Sequence, residues 1–65
     1  MKAINFIRYL KGLNCHLLLE ESNHSIFMNE VNRKISSIPR HKEIKNSLVR
    51  KICKDLEIPA PPNFQ

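Results

Sequence analysis

The sequence predicts a small α+β domain whose elements follow the order helix, strand, strand, strand, helix. One segment near each end spaces its apolar residues as an amphipathic helix does, whereas the segments between them are too short for helices and partly alternate. Short connections between successive strands favour an antiparallel meander. Two amphipathic helices and one sheet bury their apolar faces together only if both helices cover the same side. We therefore predict an α-β-β-β-α fold, with a three-stranded antiparallel sheet and both helices on one face.

The first helix is predicted over residues 2–13. Its apolar residues form one stripe at a spacing of about 3.6 residues, and polar and basic residues lie on the opposite side. The stripe consists of Ala3, Ile4, Phe6, Ile7, Leu10 and Leu13. We expect the helix to end near Gly12 and Asn14, because both residues tolerate left-handed backbone.

Three strands are predicted after this helix, with the sequences CHLLLEE, HSIFMN and RKISSI. The first strand partly alternates, and Cys15, Leu17 and Leu19 are expected to share one face of a half-buried strand. A polar break at residues 21–23 separates the first strand from the second. The third strand ends at Pro39, which cannot donate a hydrogen bond to a ladder.

The second helix follows the loop PRHKEIK, and the side chain of Asn46 is suited to its N-cap position. Its apolar face consists of Leu48, Val49, Ile52, Cys53 and Leu56. Pro59 stops the helix, and the residues that follow are predicted to form an extended, mobile tail. The predicted organisation is therefore one domain over residues 1–58 and a proline-rich tail over residues 59–65.

The length and the cysteine content restrict the class of protein. A chain of 65 residues forms at most one domain and buries only about 60% of the surface that its unfolded state exposes. Cys15 and Cys53 could pair, but both lie among apolar neighbours and the charged N-terminal residues form no signal peptide. We predict two reduced, buried thiols in a cytoplasmic protein. No apolar run approaches the roughly 20 residues that a membrane span needs.

Cofactor and metal sites are not predicted. Gly12 is the only glycine, which argues against a glycine-rich phosphate loop. The cysteines and histidines lack the close spacing of zinc ligands. The sequence therefore predicts no metal and no cofactor.

The charge is basic and concentrated in one part of the chain. The formal net charge is +5, yet the segment from Arg33 to Lys54 holds eight basic residues and only one acid, Glu43. Such a surface suggests a polyanionic partner, most economically a nucleic acid, although it could also be a solvated face. A small helix–sheet–helix domain with a basic surface is also the architecture of double-stranded-RNA-binding folds.

Three histidines remain as candidates for chemistry. His16 lies inside the first predicted strand and is expected to be a half-buried structural residue, whereas His41 lies in the basic loop. His24 begins the second strand directly after a polar turn. A lone histidine is more often structural than catalytic. An unperturbed imidazole, however, has a pKa of about 6.5 and can exchange protons near neutral pH. It can therefore accept the proton of an RNA 2′-hydroxyl without a metal. A neighbouring Arg or Lys would stabilise the charge that develops on the phosphate.

Three stretches of the chain together resemble the HicA toxins of bacterial toxin–antitoxin systems. They are LKGLNCHLL, ESNHSIF and IPRHKEIKNSLVRKICKDLEI. The first two correspond to the family motifs L-K-x-x-G-F and K-G-S-H-H-I-[FY], and the third to the family's proline–histidine segment and final helix. The resemblance spans residues 2–58 and leaves only the proline-rich tail unmatched.

The resemblance implies a metal-independent endoribonuclease that cleaves mRNA. Alignment of Ile26 and Phe27 with the family motif puts the catalytic histidine on His24. The family also implies a larger, HicB-like antitoxin that binds the toxin and covers this histidine. On charge and position, the residues predicted to contact RNA are Arg33, Lys34, Arg40, His41 and Lys42. Of these, His41 is also a candidate second proton-transfer group.

The chain departs from the family motifs at three places. Ser22 and Asn23 replace a glycine and a serine before the histidine, so the turn has to form without glycine. Ser25 replaces a second histidine that commonly follows, and Asn14 replaces the glycine of the first turn. These departures bear on the catalytic rate more than on the fold.

Two other interpretations stay open at this stage. One is a non-catalytic RNA-binding module of the same fold, and the other is a small subunit whose charge serves an acidic protein partner. If the protein is an enzyme, loss of His24 should abolish cleavage and leave RNA binding intact. If it is a binding module, loss of His24 should have little effect on its function. The subunit would show no RNA affinity at moderate salt, whereas the other two would bind RNA in a salt-sensitive way.

Overall fold

A computed structural model describes residues 1–62 of the chain, and residues 63–65 of the predicted tail lie outside the described residues. The described residues form two helices and three strands in the predicted order. The elements are α1 (Ala3–Gly12), β1 (Cys15–Glu20), β2 (His24–Asn29), β3 (Ile35–Pro39) and α2 (Asn46–Leu56). The predicted α-β-β-β-α fold is confirmed, and the element ends differ from the predicted ones by a residue or two.

The three strands form one antiparallel sheet in the order β1-β2-β3, which makes β2 central and the other two strands edges. The ladder between β2 and β3 is regular and begins where His24 lies opposite Pro39. The ladder between β1 and β2 shifts its register between Leu17 and Leu19. This shift is a β-bulge, and it places Leu19 opposite Ile26.

One hydrophobic core joins the sheet to both helices. Both helices and all three strands contribute buried side chains to it, so the helices cover the same face of the sheet, as predicted. The opposite face of the sheet is not covered by either helix. The core consists of Phe6, Leu10, Cys15, Phe27, Ile38, Ile44, Val49, Ile52, Cys53 and Leu56.

The prediction that β1 is half buried is wrong. Cys15 is its only buried residue, and Leu17, Leu18 and Leu19 are 46%, 55% and 55% exposed. The bulge breaks the alternation, because an extra residue in one strand reverses the faces of the residues that follow it. β1 is also an edge strand, so only one neighbouring strand covers it.

The loop between β3 and α2, residues 40–45, is fixed to the start of the chain. The backbone N–H of Ala3 donates to the carbonyl of Lys42 at 2.8 Å, and the N–H of Ile44 donates to the carbonyl of Met1 at 2.8 Å. The side chain of Ile44 is buried in the core. Two backbone hydrogen bonds and one buried side chain therefore hold this loop in place.

The N-terminus of α2 differs from the prediction by one residue. Lys45 occupies the N-cap position with extended backbone, and no side chain makes a capping hydrogen bond there. Asn46 is already the first helical residue, so the assignment of Asn46 as the N-cap is wrong. The helix instead begins directly after the loop that Ile44 anchors.

The C-terminus of α2 closes with a Schellman motif. The N–H of Glu57 donates to the carbonyl of Lys54 at 3.1 Å, and the N–H of Ile58 donates to the carbonyl of Cys53 at 2.9 Å. Glu57 adopts left-handed backbone with φ of 58°, a conformation that usually favours glycine. The motif directs the chain back toward the core, against which Ile58 packs.

The first residues of the predicted tail also contact the domain. The hydroxyl of Tyr9 donates to the carbonyl of Pro59 at 2.6 Å, and Pro61 is buried. These residues therefore lie against the body of the protein instead of extending from it. The boundary between domain and tail at residue 58 stays a prediction.

Candidate active site

His24 begins β2 after a connection of three residues, Glu21 to Asn23. The N–H of Glu21 donates to the carbonyl of His24 at 2.8 Å and closes the turn. Among the described residues, positive φ occurs at Asn14, Arg33 and Glu57 and not in this turn. The replacement of the family glycine therefore introduces no left-handed strain next to His24. Asn14, which replaces the other family glycine, does adopt φ of 65°, as its tolerance of left-handed backbone predicted.

Arg40 connects the end of β3 to the turn that precedes His24. Its N–H donates to the carbonyl of Asn23 at 3.2 Å. Its Nη1 donates to the carbonyl of Glu21 at 3.2 Å and lies 3.2 Å from Oε1 of Glu20. The backbone that precedes His24 is thus attached to Arg40, the residue that follows β3.

The side chains of His24 and His41 line the same open cleft, which has a volume of about 520 Å³. The cleft lies between the ends of β2 and β3 and the first turns of α2, where Pro39 and Leu48 add apolar surface. Both histidines are exposed, and neither imidazole has a hydrogen-bond or ion-pair partner among residues 1–62. Both rings are therefore available to a bound substrate, and an imidazole can accept or donate a proton.

Two lysines, Lys45 and Lys51, also line this cleft. The Nζ of Lys51 lies 2.9 Å from Oδ2 of Asp55, and the hydroxyl of Ser36 donates to the same oxygen at 3.0 Å. The hydrogen bond from Lys51, followed by that from Ser36, lowers the pKa of the Asp55 carboxyl. The sequence places both lysines in its basic segment, but it does not show which basic residues of the segment face His24.

The other predicted RNA contacts do not share this cleft. Lys42 lines a different surface pocket beside Lys2. Arg33 and Lys34 follow the far end of β2, which is five residue steps and therefore roughly 16–17 Å from His24. Lys34 also lies 3.8 Å from the carboxylate of Glu57. The structure thus brings His24 and His41 together, and RNA contacts at the other positions stay predictions.

The remaining candidate groups lie outside the cleft. The side chain of His16 is 47% exposed, so it is about half buried as expected, and its Nε2 lies 3.5 Å from Oε1 of Glu30. Cys15 and Cys53 are free and buried, as predicted. Burial raises the pKa of both thiols, and the pKa of Cys53 reaches about 11 with a further contribution from Cys15. Neither thiol is therefore an activated nucleophile.

Residues 1–62 contain no group of three or more His, Cys, Asp and Glu side chains able to hold a metal ion. Neither helix in this range has the length and apolar character needed to traverse a bilayer.

A protein-family comparison gives a match over most of the chain. The model of the family described as the HicA toxin of bacterial toxin-antitoxin matches residues 5–58. This range contains all three strands, α2 and both histidines of the cleft. No curated protein and no solved structure gives a significant match.

Proposed function

Because this chain belongs to the HicA family of toxins from bacterial toxin–antitoxin systems, we propose that it is a metal-independent endoribonuclease that cleaves mRNA. The observation that supports this proposal best is the cleft that His24 shares with His41. RNA carries its own nucleophile, the 2′-hydroxyl, so cleavage needs a base, an acid and positive charge. The cleft is lined by two histidines and two lysines, which can supply these three requirements. It is also lined by Glu43, whose carboxylate lies 3.7 Å from the N-terminal ammonium of Met1.

The reaction in this proposal is an intramolecular transfer of the phosphoryl group. His24 takes the proton of the 2′-hydroxyl, and the 2′-oxygen forms a bond to the adjacent phosphorus. The bond between phosphorus and the 5′-oxygen breaks, and His41 donates a proton to that leaving oxygen. The products are a 2′,3′-cyclic phosphate and a 5′-hydroxyl. The base has to be neutral and the acid protonated, so the rate should pass through a maximum with pH.

His24 is assigned as the base because it matches the catalytic histidine of the family motif. The turn hydrogen bond from Glu21 and the contacts of Arg40 fix the backbone around it. His41 is assigned as the acid because it is the other imidazole in the cleft. Its loop is fixed by the hydrogen bonds of residues 42–44 to the start of the chain.

Family membership also implies a partner, because toxins of this kind work in toxin–antitoxin pairs. We propose a HicB-like antitoxin that covers His24 and blocks the cleft, with both proteins in the cytoplasm. A partner that binds only the folded toxin would also stabilise so small a domain by mass action.

The test compares the wild-type protein with His24→Ala and His41→Ala on a long RNA with EDTA present throughout. His16→Ala is the matched control, because His16 is an exposed histidine outside the cleft. Circular dichroism and filter binding would run alongside the cleavage assay. We expect all variants to fold and bind RNA, and removal of either cleft histidine to slow cleavage by about 10²–10⁴-fold.

Other outcomes separate the alternatives. Cleavage by His24→Ala at the wild-type rate would contradict the assignment of the base. If the wild-type protein binds RNA but does not cut it, the departures from the family motif at Ser22, Asn23 and Ser25 have left a non-catalytic RNA-binding module. If it does not bind RNA at moderate salt, the basic surface serves a protein partner.

A further inference from the structure

The lysines that line the cleft with the two histidines are not among the residues that charge and position alone predict as RNA contacts. Arg40 pairs with Glu20 and Lys34 with Glu57, and neither of these two cations lines the cleft. Lys45 and Lys51 are the lysines that line the cleft. A phosphodiester bound in the cleft would therefore lie beside these two lysines. It would also lie beside Glu43, whose carboxylate is 3.7 Å from the N-terminal ammonium of Met1.

Lys51 is held in position by the sheet. Its Nζ contacts Oδ2 of Asp55 at 2.9 Å, and that oxygen also accepts a hydrogen bond from Ser36 of β3 at 3.0 Å. A four-carbon lysine side chain loses much rotamer freedom when it is fixed, and here the Asp55 contact has already restricted it. The ammonium group keeps further donors for a ligand, because it carries three.

Lys45 occupies a position that is unfavourable for the helix. It is the N-cap residue of α2, where Ser, Thr, Asp and Asn are preferred, and no side chain caps this end. The first turn also contains no acidic residue. A positive charge here opposes the helix dipole and costs stability. Lys45 forms no ion pair with any residue among 1–62.

We propose that Lys45 and Lys51 together bind the non-bridging oxygens of the scissile phosphate between His24 and His41. This inference rests on the proposed ribonuclease function and names the groups that hold its substrate. Two cations at the phosphate, of which Lys51 is held by Asp55, stabilise the additional negative charge of the pentacovalent transition state. They also explain why a residue that weakens the start of α2 lies beside the cleft.

The experiment compares Lys45→Ser and Lys51→Met with Lys54→Met. Lys54 is the matched control, because it is an exposed lysine on the same helix and does not line the cleft. Three quantities are measured for each protein: the cleavage rate on RNA, the salt dependence of affinity for a 2′-O-methyl RNA that cannot be cleaved, and the thermal midpoint Tm.

We expect Lys45→Ser and Lys51→Met each to lower kcat/KM by about tenfold or more, as loss of a transition-state contact does. Each should also reduce the slope of log K against log salt by about 0.7, because one phosphate contact is lost. Lys54→Met should change neither quantity by a comparable amount. Lys45→Ser should raise Tm by a few degrees, because serine can cap α2. A loss of activity in this variant would then not result from unfolding.

The inference is overturned if Lys45→Ser and Lys51→Met retain the salt slope and the rate of Lys54→Met. It is also overturned if the wild-type protein does not bind the 2′-O-methyl RNA. A wild-type protein that binds this RNA but cuts none contradicts the ribonuclease proposal alone. In that case the salt slopes still decide whether the two lysines bind phosphate.

Discussion

The guanidinium of Arg40 lies 3.2 Å from the carboxylate of Glu20, across the turn from which His24 begins its strand. The same nitrogen donates to the carbonyl of Glu21, so one side chain joins the end of β3 to the last residue of β1 and to the first residue of the turn. Both charged side chains are about half exposed, at 50% and 49%. A pair of this kind contributes at most about 1 kcal/mol to stability. Its larger effect is to restrict the backbone at His24.

Arg40→Gln should therefore affect the turn more than the binding of RNA. We expect the free energy of unfolding to fall by about 1 kcal/mol or less and the cleavage rate to fall with it, because the turn before His24 becomes less restricted. The slope of RNA affinity against salt should stay unchanged. A slope reduced by about 0.7 would instead identify Arg40 as a phosphate contact, as the sequence predicts.

Ile44→Val tests the link between the core and the cleft. Ile44 is buried and anchors the loop that carries His41 and Lys45. We expect a loss of about 0.5–1.5 kcal/mol in denaturant unfolding and a reduced cleavage rate. Ile52→Val is the matched control, since Ile52 is equally buried in α2 and does not line the cleft. If both variants lose stability but keep full activity, the loop does not depend on this anchor.

Glu57→Gly should stabilise the protein. Glu57 has φ of 58° at the end of α2, where glycine avoids the steric cost of a side chain. The contact of Glu57 with Lys34 at 3.8 Å is between exposed groups and offsets little. We expect the free energy of unfolding to rise by about 0.5–1 kcal/mol, measured by urea denaturation. Glu57→Ala serves as the control, because alanine removes the carboxylate but keeps the steric strain of positive φ. If Glu57→Ala and Glu57→Gly changed the free energy of unfolding equally, relief of backbone strain would not explain the stabilisation.

Asp55 gives the stability a defined dependence on pH. Its pKa is lowered in the folded protein, mainly by the hydrogen bond from Lys51 and next by that from Ser36. A carboxyl with a lowered pKa stabilises the fold above its unfolded value of about 3.9, and this contribution is lost as the pH falls through the folded value. Asp55→Asn should therefore lower Tm at neutral pH and converge with the wild type in acid. Curves that stay parallel at all pH values would show that the carboxylate contributes nothing.

The two buried thiols should be unreactive in the native protein. Burial, and secondarily Cys15, raises the pKa of Cys53 to about 11, so little thiolate forms near neutral pH. A disulfide reagent at about pH 8 should react rapidly with the unfolded protein in guanidinium chloride and only slowly with the folded one. Stability should also decline as the pH rises from the ordinary thiol value toward 11, because the unfolded chain ionises first. Rapid reaction of the folded protein would show that the core opens easily.

The features that the sequence predicts well are those set by neighbouring residues. Helical spacing identifies both apolar faces, and the tolerance of Asn14 for left-handed backbone marks the end of α1. The motif around His24 identifies one member of the cleft. These properties depend on residues a few positions apart, so one sequence is sufficient to read them.

The features that the sequence does not predict depend on tertiary contacts. Three consecutive leucines in β1 fit either register, so alternation alone could not locate the bulge between Leu17 and Leu19. The packing of α2 against β3 decides that Lys45 and Lys51 line the cleft, whereas the guanidinium of Arg40 pairs with Glu20 at the end of β1. Charge density along the chain indicates a basic segment, but it does not show which basic residues of this segment line the cleft with the two histidines.

The register shift in β1 also affects the tendency of the protein to aggregate with other copies of itself. A regular β1 would present leucines along an unpaired sheet edge, which is a template for the addition of strands from other molecules. A bulge twists such an edge and interrupts the row of backbone donors and acceptors. The irregular strand at Leu17 to Leu19 therefore opposes fibril formation while its leucines remain exposed. Deletion of Leu18 would restore the ladder and expose a continuous edge to aggregation.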